Sequence, residues 1–161
     1  MPRTTGRRLA VTAASAASMV GLTATMAMGA SSSAPTVKSA HNASFGNILT
    51  TASGQSLYLL SAEGNGKFSC TGACVLFWSP LTVSSAKTKP TAGPGVAGKL
   101  GVVKNPEGNY QVTYNGYPVY TYLQDSGSST SGEGVKSFGG TWYLMSAAAT
   151  TPAATPVKHH T

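Results

Sequence analysis

Residues 111–125, QVTYNGYPVYTYLQD, show the clearest alternation of apolar and polar positions, running on both sides of Asn115-Gly116. Asn-Gly best satisfies the two positive φ angles of a type I′ turn, so this stretch predicts a hairpin. A weaker copy of its second half stands at residues 55–63, QSLYLLSAE. Residues 47–51, the Ser53-Gly54 turn and residues 55–60 read as strand, turn and strand, with Leu57 and Leu59 facing opposite to Tyr58 and Leu60. Gly64-Asn65-Gly66 ends that run, and residues 73–77 suit one short helical turn that Pro80 prevents from continuing. Residues 82–98 have no periodicity and read as a connecting loop. Strands follow at 99–104, 109–114 and 117–123, with Pro118 near the start of the last, where a missing N–H is tolerable. A Gly/Ser loop at 126–140 leads to a closing strand, TWYLM, at 141–145. Tyr110, Tyr114, Tyr120 and Tyr122 share one parity within their strands, which predicts an aromatic face. Trp78 reads as a core anchor.

The ends of the chain carry a different pattern. Residues 1–8 are basic, 9–28 are apolar and 29–34 are small, which is the arrangement of a secretory signal peptide. Residues 1–34 are therefore set aside from the fold, with cleavage expected after Gly29 or Ala34. Arg7-Arg8 resembles a twin-arginine pair, but no bulky apolar pair follows it, so the export route stays open. No cysteine lies near the cleavage region, so no stable membrane anchor is expected once the signal is removed. Residues 35–44, with a lone His41, read as a disordered lead-in, and residues 147–161, an Ala/Thr/Pro tail ending near His159-His160, as a disordered end. Between them lies one domain at 45–146, with a first repeat at about 47–81, a linker at about 82–98 and a second repeat at about 99–146.

Charge narrows the partners. The formal net charge is +7, but all three arginines lie in the first eight residues. What remains is eight lysines against Glu63, Glu107, Asp125 and Glu133, a net charge of +4. The lysines are dispersed and no arginine is left for bidentate phosphate or base contacts, which argues against nucleic acid.

Candidate chemistry is sparse. Two cysteines, Cys70 and Cys74, in an exported chain favour a disulfide. The sharper alternatives are a redox pair, which normally has two intervening residues rather than three, and a Cu(I) thiolate site, which would need Met145 or a histidine as a further ligand. No histidine lies between His41 and His159, so the core offers neither a Ser–His nor a Cys–His arrangement. Glu63 and Asp125 would serve as acid and base only if the fold brought them together. An acid at a strand end more often accepts backbone N–H groups of the adjoining turn. No enzyme, cofactor or resident metal is expected. The tyrosine face is either core packing or a platform for sugars or peptides, since tyrosine has an apolar body and a polar tip.

The chain also repeats itself. Leu57-Tyr58 matches Val119-Tyr120 at a shift of 62, Glu63 falls on Asp125 at the same shift, and Trp78 falls on Trp142 at a shift of 64. Neither half buries enough surface alone, so the two should pack as a pseudo-symmetric pair. With Tyr120-Thr-Tyr122-Leu-Gln-Asp125, Gln111-Val-Thr-Tyr-Asn-Gly116, Cys70-x-x-x-Cys74, Trp78-Ser-Pro-Leu81 and Gly139-Gly140-x-Trp142, the stretch 47–146 resembles the bacterial "secreted repeat of unknown function" family. Members are often predicted lipoproteins with a Tyr-x-(Phe/Trp/Tyr)-x-x-Asp motif. The first copy departs from it at Leu60 and Glu63, and the family's frequent lipid-bearing cysteine is absent. The resemblance implies secretion and supplies no activity. It marks Tyr58, Glu63, Trp78, Tyr120, Tyr122, Asp125 and Trp142 as structural or ligand-facing motif residues.

The expectation is a mainly β protein: one small antiparallel domain of two pseudo-symmetric repeats with a short helical turn, as sandwich or barrel. Its expected role is that of a secreted, non-catalytic cell-envelope or extracellular module meeting a cell-wall glycan, a peptide or an envelope protein. The alternative is redox or copper handling at Cys70 and Cys74.

Overall fold

The computed structural model describes residues 36–148. The expected signal peptide and most of the expected tail, with His159 and His160, lie outside them. The fold is mainly β and antiparallel. Its strands are β1 (Val37–Asn42), β2 (Gly46–Thr51), β3 (Tyr58–Leu60), β4 (Trp78–Pro80), β5 (Thr82–Val83), β6 (Leu100–Lys104), β7 (Tyr110–Tyr114), β8 (Tyr117–Pro118), β9 (Tyr120–Tyr122), β10 (Lys136–Ser137) and β11 (Gly140–Leu144). One 3₁₀ turn, Gly72–Leu76, precedes β4. Three sheets form: β1-β2, β10-β11-β3-β9-β4, and β5-β7-β6 with β8 added to β7.

Strands β3 and β9 lie at the middle of the five-stranded sheet, with Tyr58 directly opposite Tyr120. Each unit then gives its last strand to the other. Trp78 on β4 pairs with Tyr122 on β9, and Trp142 on β11 pairs with Leu60 on β3. The exchange is sealed by two matching rings of backbone hydrogen bonds. In one, Leu49 donates to Met145 (2.7 Å), Met145 to Leu57 (3.0 Å) and Leu57 back to Leu49 (3.0 Å). In the other, Val112 donates to Leu81 (2.8 Å), Leu81 to Val119 (2.9 Å) and Val119 back to Val112 (3.0 Å). Every N–H and C=O in the two rings is satisfied where three strands meet, which buried backbone requires. Two units that complete one another in this way form a single pseudo-two-fold domain.

Strand alternation divides the core. Leu57 and Leu59 join Val37, Leu49, Val112, Val119 and Met145 in one cluster. Tyr58 and Leu60 join Ile48, both cysteines, Trp78, Tyr120, Trp142 and Leu144 in the other. The two apolar faces of one short strand thus serve two cores.

Five expectations need correction. The linker expected at 82–98 begins with a strand, since Thr82 and Val83 form β5 and pair Gln111 and Tyr110 of β7. The expected lead-in at 35–44 is ordered from residue 36 on. Residues 37–42 are β1, paired along its length with β2 from Val37↔Thr51 to Asn42↔Gly46. Small polar side chains concealed this strand, which is held by its ladder, by the buried Val37 and by a turn in which Asn42 Oδ1 accepts from Ser44 and Phe45 N–H. β1-β2 is the counterpart of β6-β7. Ala147, expected as the first residue of the disordered end, is instead buried, and its backbone bonds Asn47 and Ala97. The expected 117–123 strand is broken into β8 and β9, since the chain leaves one sheet after Pro118 and enters the next at Tyr120. That change of sheet also divides the tyrosines: Tyr114 packs in the first cluster, while Tyr120 and Tyr122 pack in the second.

Candidate functional site

The motif residues meet across the pseudo-two-fold, and they do so reciprocally. Tyr58 of the first unit donates its hydroxyl to Asp125 Oδ2 of the second at 2.5 Å. Tyr120 of the second unit donates to Glu63 Oε1 of the first at 3.2 Å. Each acid also organises the loop that follows its own strand. Asp125 Oδ1 accepts from Ser129 Oγ (3.0 Å), Ser131 N–H (2.9 Å) and Ser131 Oγ. Glu63 Oε1 accepts from Ser69 N–H (2.8 Å) and Cys70 N–H (2.7 Å). Each acid is engaged in its own network, joined to the opposite unit through a tyrosine.

The two networks differ in one respect. Both oxygens of Asp125 have donors, whereas Glu63 Oε2 is buried without one. Burial accordingly pushes the Glu63 carboxyl above its usual range, against the pull of its two N–H donors and Tyr120. Burial and the neighbouring acids also hold the Tyr58 and Tyr120 hydroxyls far above the ordinary phenol range, so both remain protonated donors.

Between the networks lies an aromatic stack. Trp78 and Trp142 are parallel, with ring centroids 3.8 Å apart and planes at 4°. Tyr122 stacks on Trp78 at 4.1 Å. Tyr58 meets Trp78 edge-on at 5.4 Å, and Tyr120 meets Trp142 edge-on at 5.1 Å. Trp142 Nε1–H is donated to Ser137 Oγ at 3.0 Å, so the buried indole carries no unmet donor there.

One flank of the stack opens to solvent. A cleft of about 260 Å³ is lined by Phe77, Trp78, Tyr122, Gln124, Val135, Ser137 and Phe138. Phe77 and Phe138, both lining it, are in ring contact with centroids 6.5 Å apart. Leu123 N–H bonds Phe77 C=O at 2.8 Å, placing Leu123 beside Phe77 and its neighbour Leu76. Leu76 (71% exposed), Leu123 (68%), Phe77 (44%) and Phe138 (37%) are the exposed large apolar side chains among the described residues; Phe77 and Phe138 line the cleft, and Leu76 and Leu123 adjoin Phe77 along the backbone. Contiguous exposed apolar surface is the kind that marks contact sites. Phe138 also has φ of 52°, a left-handed conformation costly for a bulky residue. These four residues, with Gln124, escaped the sequence reading. The available signal was a lone Phe placed before two glycines in a loop otherwise made of small residues.

Cys70 and Cys74 form a disulfide with Cα atoms 5.1 Å apart, and both are buried in the same cluster as the tryptophans. Met145, the nearest sequence candidate for a soft third ligand, sits in the other cluster. His41 lies on β1, exposed, with Nδ1 3.3 Å from Asn47 Oδ1. Among the described residues no three His, Cys, Asp or Glu side chains gather as a metal site would need.

The fold and site define a small antiparallel β module: two strand-exchanged units about an aromatic stack that has an open cleft on one flank. Residues 101–145, from β6 through β11, match the family described as a secreted repeat of unknown function. The second unit therefore carries that repeat, and the pseudo-two-fold relates the first unit to it. No curated protein and no solved structure matches the chain.

Proposed function

We propose that this protein is a non-catalytic extracellular binding module of the cell envelope, and that its ligand site is the cleft lined by Phe77, Trp78, Tyr122 and Phe138. The observation that carries the reading is that exposed Phe77 and Phe138 line one cleft together with Trp78 and Tyr122, with exposed Leu76 and Leu123 adjoining Phe77 along the backbone, an apolar surface that a fold would otherwise bury or scatter. Aromatic rings at the wall and base, with Gln124 and Ser137 as polar groups, suit a ligand with one flat apolar face and hydroxyls along its edge. A cell-wall glycan has that chemistry. A catalytic reading has less support, because Glu63 and Asp125 are each engaged in hydrogen bonds that hold their own loops. Burial also weighs against redox exchange or copper capture at Cys70 and Cys74, since attack on a disulfide needs access to sulfur.

The test is binding of the mature protein to a panel of soluble cell-wall glycans, followed by its tryptophan fluorescence. Trp78 lies at the cleft base and stacks on Trp142, so an occupied cleft will change the emission. Phe77→Ala with Phe138→Ala is expected to lose at least about tenfold in affinity, some 1.4 kcal/mol. Equal binding by that double variant, or no glycan bound by the wild type, would sink the proposal.

A further inference from the structure

Five aromatic rings connect the cleft with the centre of the fold. Tyr122 lines the cleft and stacks on Trp78, Trp78 stacks on Trp142, and Tyr58 and Tyr120 close the two ends edge-on. Apolar packing accounts for burying rings. It gives no reason to bury two phenol hydroxyls, each donated to an acid from the opposite unit. Phenol loses an electron easily only when its proton has an acceptor already in place, and the electron passes readily between rings in van der Waals contact. Both conditions are met here.

We infer that the stack is a one-electron relay that takes an oxidising equivalent arriving at the cleft and holds it on Tyr58. A diffusing one-electron oxidant, such as a small inorganic radical, takes one electron from the Tyr122–Trp78–Trp142 stack and is reduced by it. Tyr58 returns an electron to the stack through its edge contact with Trp78, and its phenolic proton passes to Asp125 Oδ2, 2.5 Å away. The oxidant has gained one electron, Tyr58 is a neutral phenoxyl radical, Asp125 is a neutral acid, and both indoles are unchanged. The step removes a buried charge, so the apolar surroundings favour it. It is stoichiometric and needs no bound cofactor. Tyr58 rather than Tyr120 is the resting place because its acceptor is closer. Glu63 Oε1 lies 3.2 Å from Tyr120 and already accepts two N–H groups.

Pulse radiolysis of the mature, disulfide-intact protein tests this, with azide radical as the oxidant. The expected result is an indolyl radical that decays in a first-order step into a phenoxyl radical, slower in D₂O because a proton moves. Tyr58→Phe is expected to slow that decay about tenfold or more, and Tyr120→Phe to leave it within about twofold. Near-UV circular dichroism shows whether each variant keeps its aromatic packing. If Tyr58→Phe does not fold, the decision falls to the other two samples. Unchanged phenoxyl yield in Tyr120→Phe together with the D₂O slowing in wild type supports the relay. A phenoxyl signal lost in Tyr120→Phe, unaffected by Tyr58→Phe, or insensitive to D₂O overturns it.

Discussion

Replacing Asp125 and Glu63 by their amides separates two acids that occupy equivalent places. Asp125→Asn keeps one oxygen but presents an NH₂ to a neighbour that was previously a partner. If the amide oxygen stays with Ser131 and Ser129, its nitrogen faces the Tyr58 hydroxyl, and that buried phenol loses its acceptor. If the amide turns over, the Ser131 N–H is left instead. Either way one buried donor is unmet, at about 1–3 kcal/mol, and a charge-assisted bond of about 1.5–3 kcal/mol is weakened. The two costs overlap, so the net loss is about 2–3 kcal/mol. Glu63→Gln behaves differently. The donors to Glu63 all converge on Oε1, which the amide oxygen reproduces, and Oε2 has no donor to lose. The amide removes the cost of burying a carboxylate but puts an NH₂ where Oε2 had no partner, at about 1–3 kcal/mol, so the two effects offset and the net change is within about 1 kcal/mol and of either sign. Equilibrium urea unfolding followed by tryptophan fluorescence is the assay. With m of about 2 kcal/mol per M, Asp125→Asn lowers the midpoint by about 1–1.5 M while Glu63→Gln moves it by no more than about 0.5 M. A larger loss for Glu63→Gln than for Asp125→Asn would refute the reasoning.

Three further outcomes follow from the same contacts. Because burial raises the Glu63 carboxyl in the folded state, its contribution is fully present below the ordinary carboxylate range and is lost as pH rises through its folded value. Urea midpoints measured across that range should therefore fall with rising pH in wild type relative to Glu63→Gln, and a parallel pair of curves contradicts this. The disulfide closes a short loop, so replacing Cys70 and Cys74 by serine costs about 2 kcal/mol by loop entropy, plus the burial of two hydroxyls. Intact-mass measurement should show no reduction of the native bridge by mild thiol, and ready reduction once urea is added. At Gly132 an added Cβ would meet Trp78 at 2.8 Å and Tyr58 at 2.9 Å, so Gly132→Ala should destabilise by about 1–3 kcal/mol in the same unfolding assay and disturb the near-UV signal of the stack.

Much of this fold can be read from local pattern. The Asn115-Gly116 turn does fall between paired Tyr114 and Tyr117, with φ of 51° and 86° at its two residues. The alternation at residues 57–60 assigns side chains to two opposite cores. What was hidden depended on partners distant in sequence. β1 has weak strand character of its own and exists because β2 lies beside it. The end of the alternating run at Pro118 was visible, but not that the chain would change sheets there. Repeat matching aligned Tyr58 with Tyr120 and Glu63 with Asp125, yet it could not show that each tyrosine reaches the acid of the opposite unit. That crossing comes from β3 of one unit pairing with β9 of the other, Tyr58 opposite Tyr120, a property of topology rather than of any local window. The cleft was hardest to see, because Phe77 and Phe138 are 61 positions apart and meet only through the same topology.

The most direct test of the binding claim is an NMR titration of ¹⁵N-labelled mature protein with soluble peptidoglycan fragments. The account predicts saturable shifts confined to the backbone around Phe77, Tyr122–Gln124 and Val135–Phe138, with the β6-β7 hairpin unmoved. Shifts centred on that hairpin, or none at any concentration reached, would contradict it.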